Sequence, residues 1–251
     1  MTFLYLIIGL VLIFDFINGF HDSANSIATI VSTKVLSPFN AVLLAAIFNF
    51  IAFTVFPMKV ATTMGKGVID PAVVTLTVIA AALVAAITWN LLTWWWGLPS
   101  SSSHTLVGGL VGAAIVSSGP SSVIAGGVLK IAAFIVIAPL LGMVMSYIIS
   151  IIVINLVKKH SPSGVDKHFR RLQLLSAAAF SLGHGGNDAQ KSMGIIWIAL
   201  ITMGMASVDD KRPELWVVLS CQAAIALGTL FGGWRIVKTM GQRITKLKPF
   251  E

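Results

Sequence analysis

A chain of 251 residues with 57% hydrophobic and 10% charged side chains, a mean hydropathy of +0.92 and a formal charge of +8 is far too apolar for a soluble domain, where about a quarter of the residues carry charge. A single cysteine, Cys221, excludes a disulfide framework and a cysteine-based metal centre. The Lys and Arg residues gather between apolar stretches, so the charge reads as membrane topology with basic segments on the cytoplasmic side, not as a nucleic-acid surface. The fold class is therefore an all-α polytopic membrane protein.

In chain order, residues 3–20 are apolar enough to enter a bilayer, and the absence of an early Lys or Arg argues for a retained first helix rather than a cleaved leader. The polar stretch GFHDSANS follows at 19–26 and is expected to interrupt that helix. Ser37 and Pro38 mark a break. A second span is expected over 39–57, closed by Pro57, then a polar connector containing Lys59 and Lys66, then a third span over 72–96 ending in Trp94, Trp95 and Trp96 at the membrane interface. The segment GLPSSSSHTLVGGLVGAAIV starts with a proline and four serines, and its apolar part is short for a full crossing. It reads as a half-helix of a re-entrant element. Residues 123–157 form a long span, bent near Pro139, and KKHSPSGVDKHFRR (158–171) reads as a cytoplasmic loop. The apolar stretch 172–206 is too long for one straight span, and GHGGNDAQKS within it is expected to separate two helical pieces. A polar turn at Asp209–Glu214, a span over 215–234 and a basic tail complete the chain. Five crossings before residue 158 would put the N-terminus outside, and a re-entrant serine element would reverse that parity.

Aligning Asp22 with Asp188 superposes Gly19 on Gly185 and Ser26 on Ser192 at a constant offset of 166. The two polar motifs read as one device used twice, with the basic segment between them. An odd number of crossings between the copies would make the repeats inverted, the plan of many secondary transporters, whose sites lie where discontinuous helices meet. A counterpart of Pro99 would fall near position 265, and no second serine-rich stretch occurs before Glu251. The second repeat is thus expected to be incomplete, the chain a fragment or short form of a longer two-repeat protein. The domain reading is 1–157 as first repeat plus linking helix, 158–171 as basic loop, and 172–251 as partial second repeat with a basic tail.

Polar groups inside a bilayer are costly and mark function. Asp22 and Asp188 have the chemistry to bind sodium, accept a proton or hold a hydrogen-bonded substrate, and Asn25, Asn187 and Gln190 add neutral donors and acceptors. Lys191 offers a positive charge for an anion or for Asp188. Ser101, Ser102, Ser103 and Thr105 bring hydroxyls to the start of a helix, where free amides favour an oxyanion. Asp15 reads as a pairing residue for a neighbouring helix, and His21, His104 and His184 as hydrogen-bonded packing residues without metal-site spacing. Gly108, Gly109 and Gly112 read as a close-packing face. There is no nucleophile–base–orienter arrangement, so the chain is not expected to be an enzyme.

Three motifs in order, GFHDSANSIAT, GLPSSSSHTLVGGLVG and SLGHGGNDAQKSMG, resemble the inorganic phosphate transporter (PiT) family. The resemblance implies symport of inorganic phosphate with sodium or protons, inverted repeats, and a homodimer in the cell membrane (the inner membrane, if the source is a Gram-negative bacterium). It implies phosphate binding by Ser101, Ser102, Ser103, Thr105, Gln190 and Lys191, and cation coupling through Asp22, Asn25, Asn187 and Asp188, with no cofactor beyond a transient sodium or proton. The alternatives are a non-transporting membrane assembly or regulatory subunit derived from such a transporter, and an anion pore without coupling.

Overall fold

The computed structural model describes residues 1–56, 67–207 and 213–244, with the side chains of 242–244 left out of the description. Lys59, Lys66, Pro57, the first part of the polar turn at 209–212 and the tail beyond 244 lie outside the described residues. Within them the chain is a helical bundle: α1 (Thr2–Ser32), α2 (Pro38–Ile51), α3 (Leu76–Trp96), α4 (Ser102–Ser118), α5 (Ala125–Val157), α6 (Pro162–Thr202), α7 (Leu215–Phe231) and α8 (Trp234–Lys238). Among the described residues an isolated bridge between Ile69 and Val123 is the one β-type pairing. Three helices, α1, α3 and α5, are long and apolar enough to cross a membrane, and four are if the bent pair made by α7 and the segment from Trp234 counts as one span.

The ends are set by local chemistry. Ser37 caps α2 with Pro38 in its first turn, Thr75 caps α3 through the Val78 amide, and Ser161 caps α6 through the Gly164 amide. Gly97, at φ 69°, closes α3 in the left-handed region that glycine enters without strain. The chain then turns at once into α4, which doubles back along α3.

The expected helix breaks are not where the sequence suggested. α1 runs unbroken through GFHDSANS, and α6 runs 41 residues through GHGGNDAQKS, about 60 Å at 1.5 Å per residue. Neither motif contains proline, and Asp22 and Asp188 find partners on other helices, so nothing forces the backbone open. α6 also absorbs most of the basic stretch: residues 162–171, expected as loop, are its first turns. Pro139 stands inside α5 without ending it. The sharp bend is instead at Gly232–Gly233, where α7 meets the next segment at 53°. The second expected span is shorter than anticipated, an α-helix to Ile51 followed by a 3-10 turn to Thr54.

α1 is the centre of the bundle, packed against α7, α6 and α3. Two glycines set the α1–α7 distance. A Cβ on Gly19 would collide with the carbonyl of Ile225, and one on Gly228 with the carbonyl of Phe16. The main core joins Leu4, Ile7, Val11 and Phe14 of α1 to Leu83, Leu106, Met193, Ile196 and Ile225. α5, by contrast, has no buried residue.

Candidate functional site

Unbroken helices place the two motifs face to face. On α1, Asn18 and Asp22 are one turn apart on one face, and on α6 His184 and Asp188 repeat that spacing at the same offset of 166. The N-terminus of α4 enters between them. Ser101, with extended backbone, accepts from the His104 amide and starts the helix, which turns Ser102 inward and Ser103 toward α6.

The result is one hydrogen-bonded cluster from three helices. The Ser102 hydroxyl oxygen lies 2.6 Å from Asn18 Oδ1 and 2.7 Å from Asp22 Oδ2. Asn18 Nδ2 donates to Asp188 Oδ2 at 3.3 Å. Lys191 Nζ donates to Asp188 Oδ1 at 2.5 Å and to Ser103 Oγ. His184 Nδ1 stands 3.4 Å from Asp188 Oδ2. Asp22, His184 and Asp188 each bring a ligand atom to within 4.8 Å of the others. His21 joins from the side, with Nδ1 3.3 Å from Asp22 Oδ1 and Nε2 3.2 Å from Thr93 Oγ1 and 3.4 Å from Ser100 Oγ. Asp22, Asn18, His21 and Ser102 are buried, and Lys191 and Ser103 are half-buried.

Two carboxylates and one ammonium meet here, an excess of one negative charge in a medium that solvates charge poorly. Such a group attracts a cation. Its Lys191 ammonium, the serine hydroxyls and the free first amides of α4 suit an anion's oxygens. The geometry therefore offers both signs of ligand within one cluster.

Of the residues singled out from sequence, Asp22, Asp188, Lys191, Ser102 and Ser103 converge. Gln190 is buried on the same helix. Four others do not join the network. Asn25 is exposed, and Asn187, also exposed, bonds back to the Gly183 carbonyl at 2.9 Å. Ser101 is spent on capping, and Thr105 Oγ1 donates to the Ser101 carbonyl at 2.9 Å. Ser101 and Thr105 line a different space, an open groove of about 920 Å³ between α3 and α4, with Trp89, His104, Gly108 and Gly112. Ser100 touches both sides, lining the groove and bonding to Thr93 and His21. Asn18 received no role from the sequence, and His21 and His184, read there as hydrogen-bonded packing residues, stand within the site's network. The signal for Asn18 and His184 was the four-residue spacing to each aspartate, visible only if the motifs are read as helix.

Comparison with known proteins agrees with this architecture. The profile of the phosphate transporter family matches residues 18–251. A probable low-affinity inorganic phosphate transporter of Rhizobium meliloti (strain 1021) is 57% identical over 249 residues, 98% of this chain and 74% of that protein. Its counterpart from Bacillus subtilis (strain 168) is 46% identical over 246 residues, 97% of this chain and 73% of that one. A solved sodium-dependent phosphate transporter superposes with a TM-score of 0.83 over 99% of this chain and 80% of its own, at 24% identity, and shares the fold.

Proposed function

Because this chain belongs to the phosphate transporter family, we propose that it is a multi-pass membrane protein carrying inorganic phosphate by cation-coupled symport, with the cluster around Asp22 and Asp188 as its transport site. It is a transporter and not an enzyme. The observation that carries the reading is the meeting of two aspartates from two equivalent motifs with Ser102 and Ser103 of the α4 N-terminus and Lys191 of α6.

The mechanism follows from charge. Phosphate engages Lys191, Ser102, Ser103 and the first amides of α4. In doing so it competes with Asp188 for the lysine. The carboxylates of Asp22 and Asp188, released toward each other, need cations before a dianion can stay beside them. Sodium or protons supply that compensation, so anion and cation bind together more tightly than either alone. Gln190, the half-buried Thr105 and the exposed Ser101, Asn25 and Asn187 belong to this reading as groups that movement of α4, α6 or α1 brings to the ligand. The division into repeats at 1–157 and 172–251, their inverted relation, a homodimer and residence in the cell membrane complete the proposal. A buried-residue-free α5 supports a lipid-facing or partner-facing role for that helix.

The test is uptake of radiolabelled phosphate into proteoliposomes under a sodium gradient and, separately, a proton gradient. Uptake is expected with at least one. Asp22→Asn should cut coupled uptake about tenfold or more, since a hydrogen bond to a charged group contributes about 1.5–3 kcal/mol. Protein that is folded yet takes up nothing under either gradient overturns the reading and favours a non-transporting subunit.

A further inference from the structure

Asp15 lies two turns before Asp22 on α1 and takes no part in the cluster just described. It is wholly buried. Ser192 of α6 donates to its Oδ1 at 2.5 Å, and its Oδ2 has no hydrogen-bond partner among the described residues. Cys221 of α7, itself buried, faces the same carboxyl. Three helices therefore close around one acid whose second oxygen is left over.

We propose that Asp15 is a proton-binding site, separate from the Asp22–Asp188 cluster, whose loading and unloading makes phosphate uptake respond to pH. The charged and titratable groups that face it are Asp188 and Lys191 on α6 and Cys221 on α7. α3, also packed on α1, carries no titratable side chain. Arg235 of α8 turns to the rings of Trp94 and Trp95. Lys191 is held by Asp188 and Ser103, so among the described residues no cation facing Asp15 is left to pair with it. An ionised carboxylate with one hydrogen bond in such a place is strongly disfavoured. The neutral acid fits: one oxygen accepts from Ser192, and the other carries hydrogen toward the weakly accepting sulfur of Cys221. Sodium is poorly matched, because a hard cation asks for several oxygen ligands and the side-chain partners of Asp15 among the described residues are one hydroxyl and a thiol. In the step itself the carboxylate takes a proton from water on one side of the membrane and returns it to water on the other, and no other bond changes. Ser192, one turn beyond Asp188 on α6, connects this acid to the helix that holds the transport site.

The consequence for uptake rests on the transport reading above; the site itself does not. Infrared spectroscopy of the purified chain is the direct test. A carboxylic-acid C=O stretch, shifted in D2O, should be present in the parent protein and lost in Asp15→Asn. The same band should move to higher frequency in Ser192→Ala, which covers the case in which the asparagine variant fails to fold. In proteoliposomes, the parent should take up phosphate faster from acid than from neutral medium, and Asp15→Asn should take it up equally from both, with phosphate binding unchanged. An acid band that survives in Asp15→Asn and does not move in Ser192→Ala overturns the site. A pH response retained in Asp15→Asn overturns the coupling. If neither protein takes up phosphate, the transport reading fails and the infrared band alone decides Asp15.

Discussion

Ser102 is the residue on which the cluster turns. Its hydroxyl has one hydrogen and sits within hydrogen-bond distance of two acceptors, Asn18 Oδ1 and Asp22 Oδ2. Ser102→Ala would leave both facing a methyl group, with a penalty of about 1–3 kcal/mol for the unmet acceptors. Phosphate affinity, measured by equilibrium binding to detergent-solubilised protein, is expected to fall about tenfold, while Ser101→Ala should act mainly on stability through the lost cap of α4, by about 1 kcal/mol. Equal effects of the two on affinity would contradict the division between inward and capping serines. At this scale much was legible: isolated carboxylates in an apolar chain marked Asp22 and Asp188 without any coordinates. Asn18 and His184 were not, because a helix face exists only once the motif is known to be helical. Asn25 and Asn187 stand outside the network here, since polarity identifies a residue that must be explained but not the direction in which it points.

Elements are positioned by what glycine leaves out. The backbones of α1 and α7 approach at Gly19 and Gly228, and those of α6 and α2 at Gly185, where a Cβ would meet the Asn49 carbonyl. The same contacts carry polar ties: Asn49 Nδ2 donates to Thr229 Oγ1 at 2.7 Å, and Gln222 Nε2 to the Gly185 carbonyl at 3.3 Å. Gly228→Leu is expected to force α7 off α1 and lower stability by at least about 1–3 kcal/mol, as overpacking does; thermal unfolding in detergent measures it. Gly112→Leu, whose Cβ position is open, should change stability little. The spans over 72–96, 123–157 and 215–234 were readable within a few residues because apolar length is a strong signal. The breaks were misplaced because polarity was taken as a reason for a helix to end. The sharp bend falls at Gly232 and Gly233, between two helices, and not at the buried polar groups with partners across the bundle.

The molecule as a whole presents a dense centre built on α1 and a peripheral α5 with nothing buried. The proposed homodimer is tested by native mass spectrometry from mild detergent, where two copies are expected and a uniform monomer would contradict it. The general class followed from composition alone. The pairing of the two motifs followed from their shared offset. Their meeting with α4 could not be read from the chain, because it depends on a hairpin between α3 and α4 that only packing defines.

The grip of Asp188 and Ser103 on Lys191 has a consequence for the return journey of a carrier. An empty site keeps one uncompensated carboxylate, because Lys191 pairs with Asp188 alone, and a lone charge is costly to carry through a low-dielectric interior. One bound cation removes that excess, whereas phosphate without a cation adds to it. The internal pair thus limits the deficit of the returning empty site to a single charge and penalises most the state that would carry phosphate uncoupled.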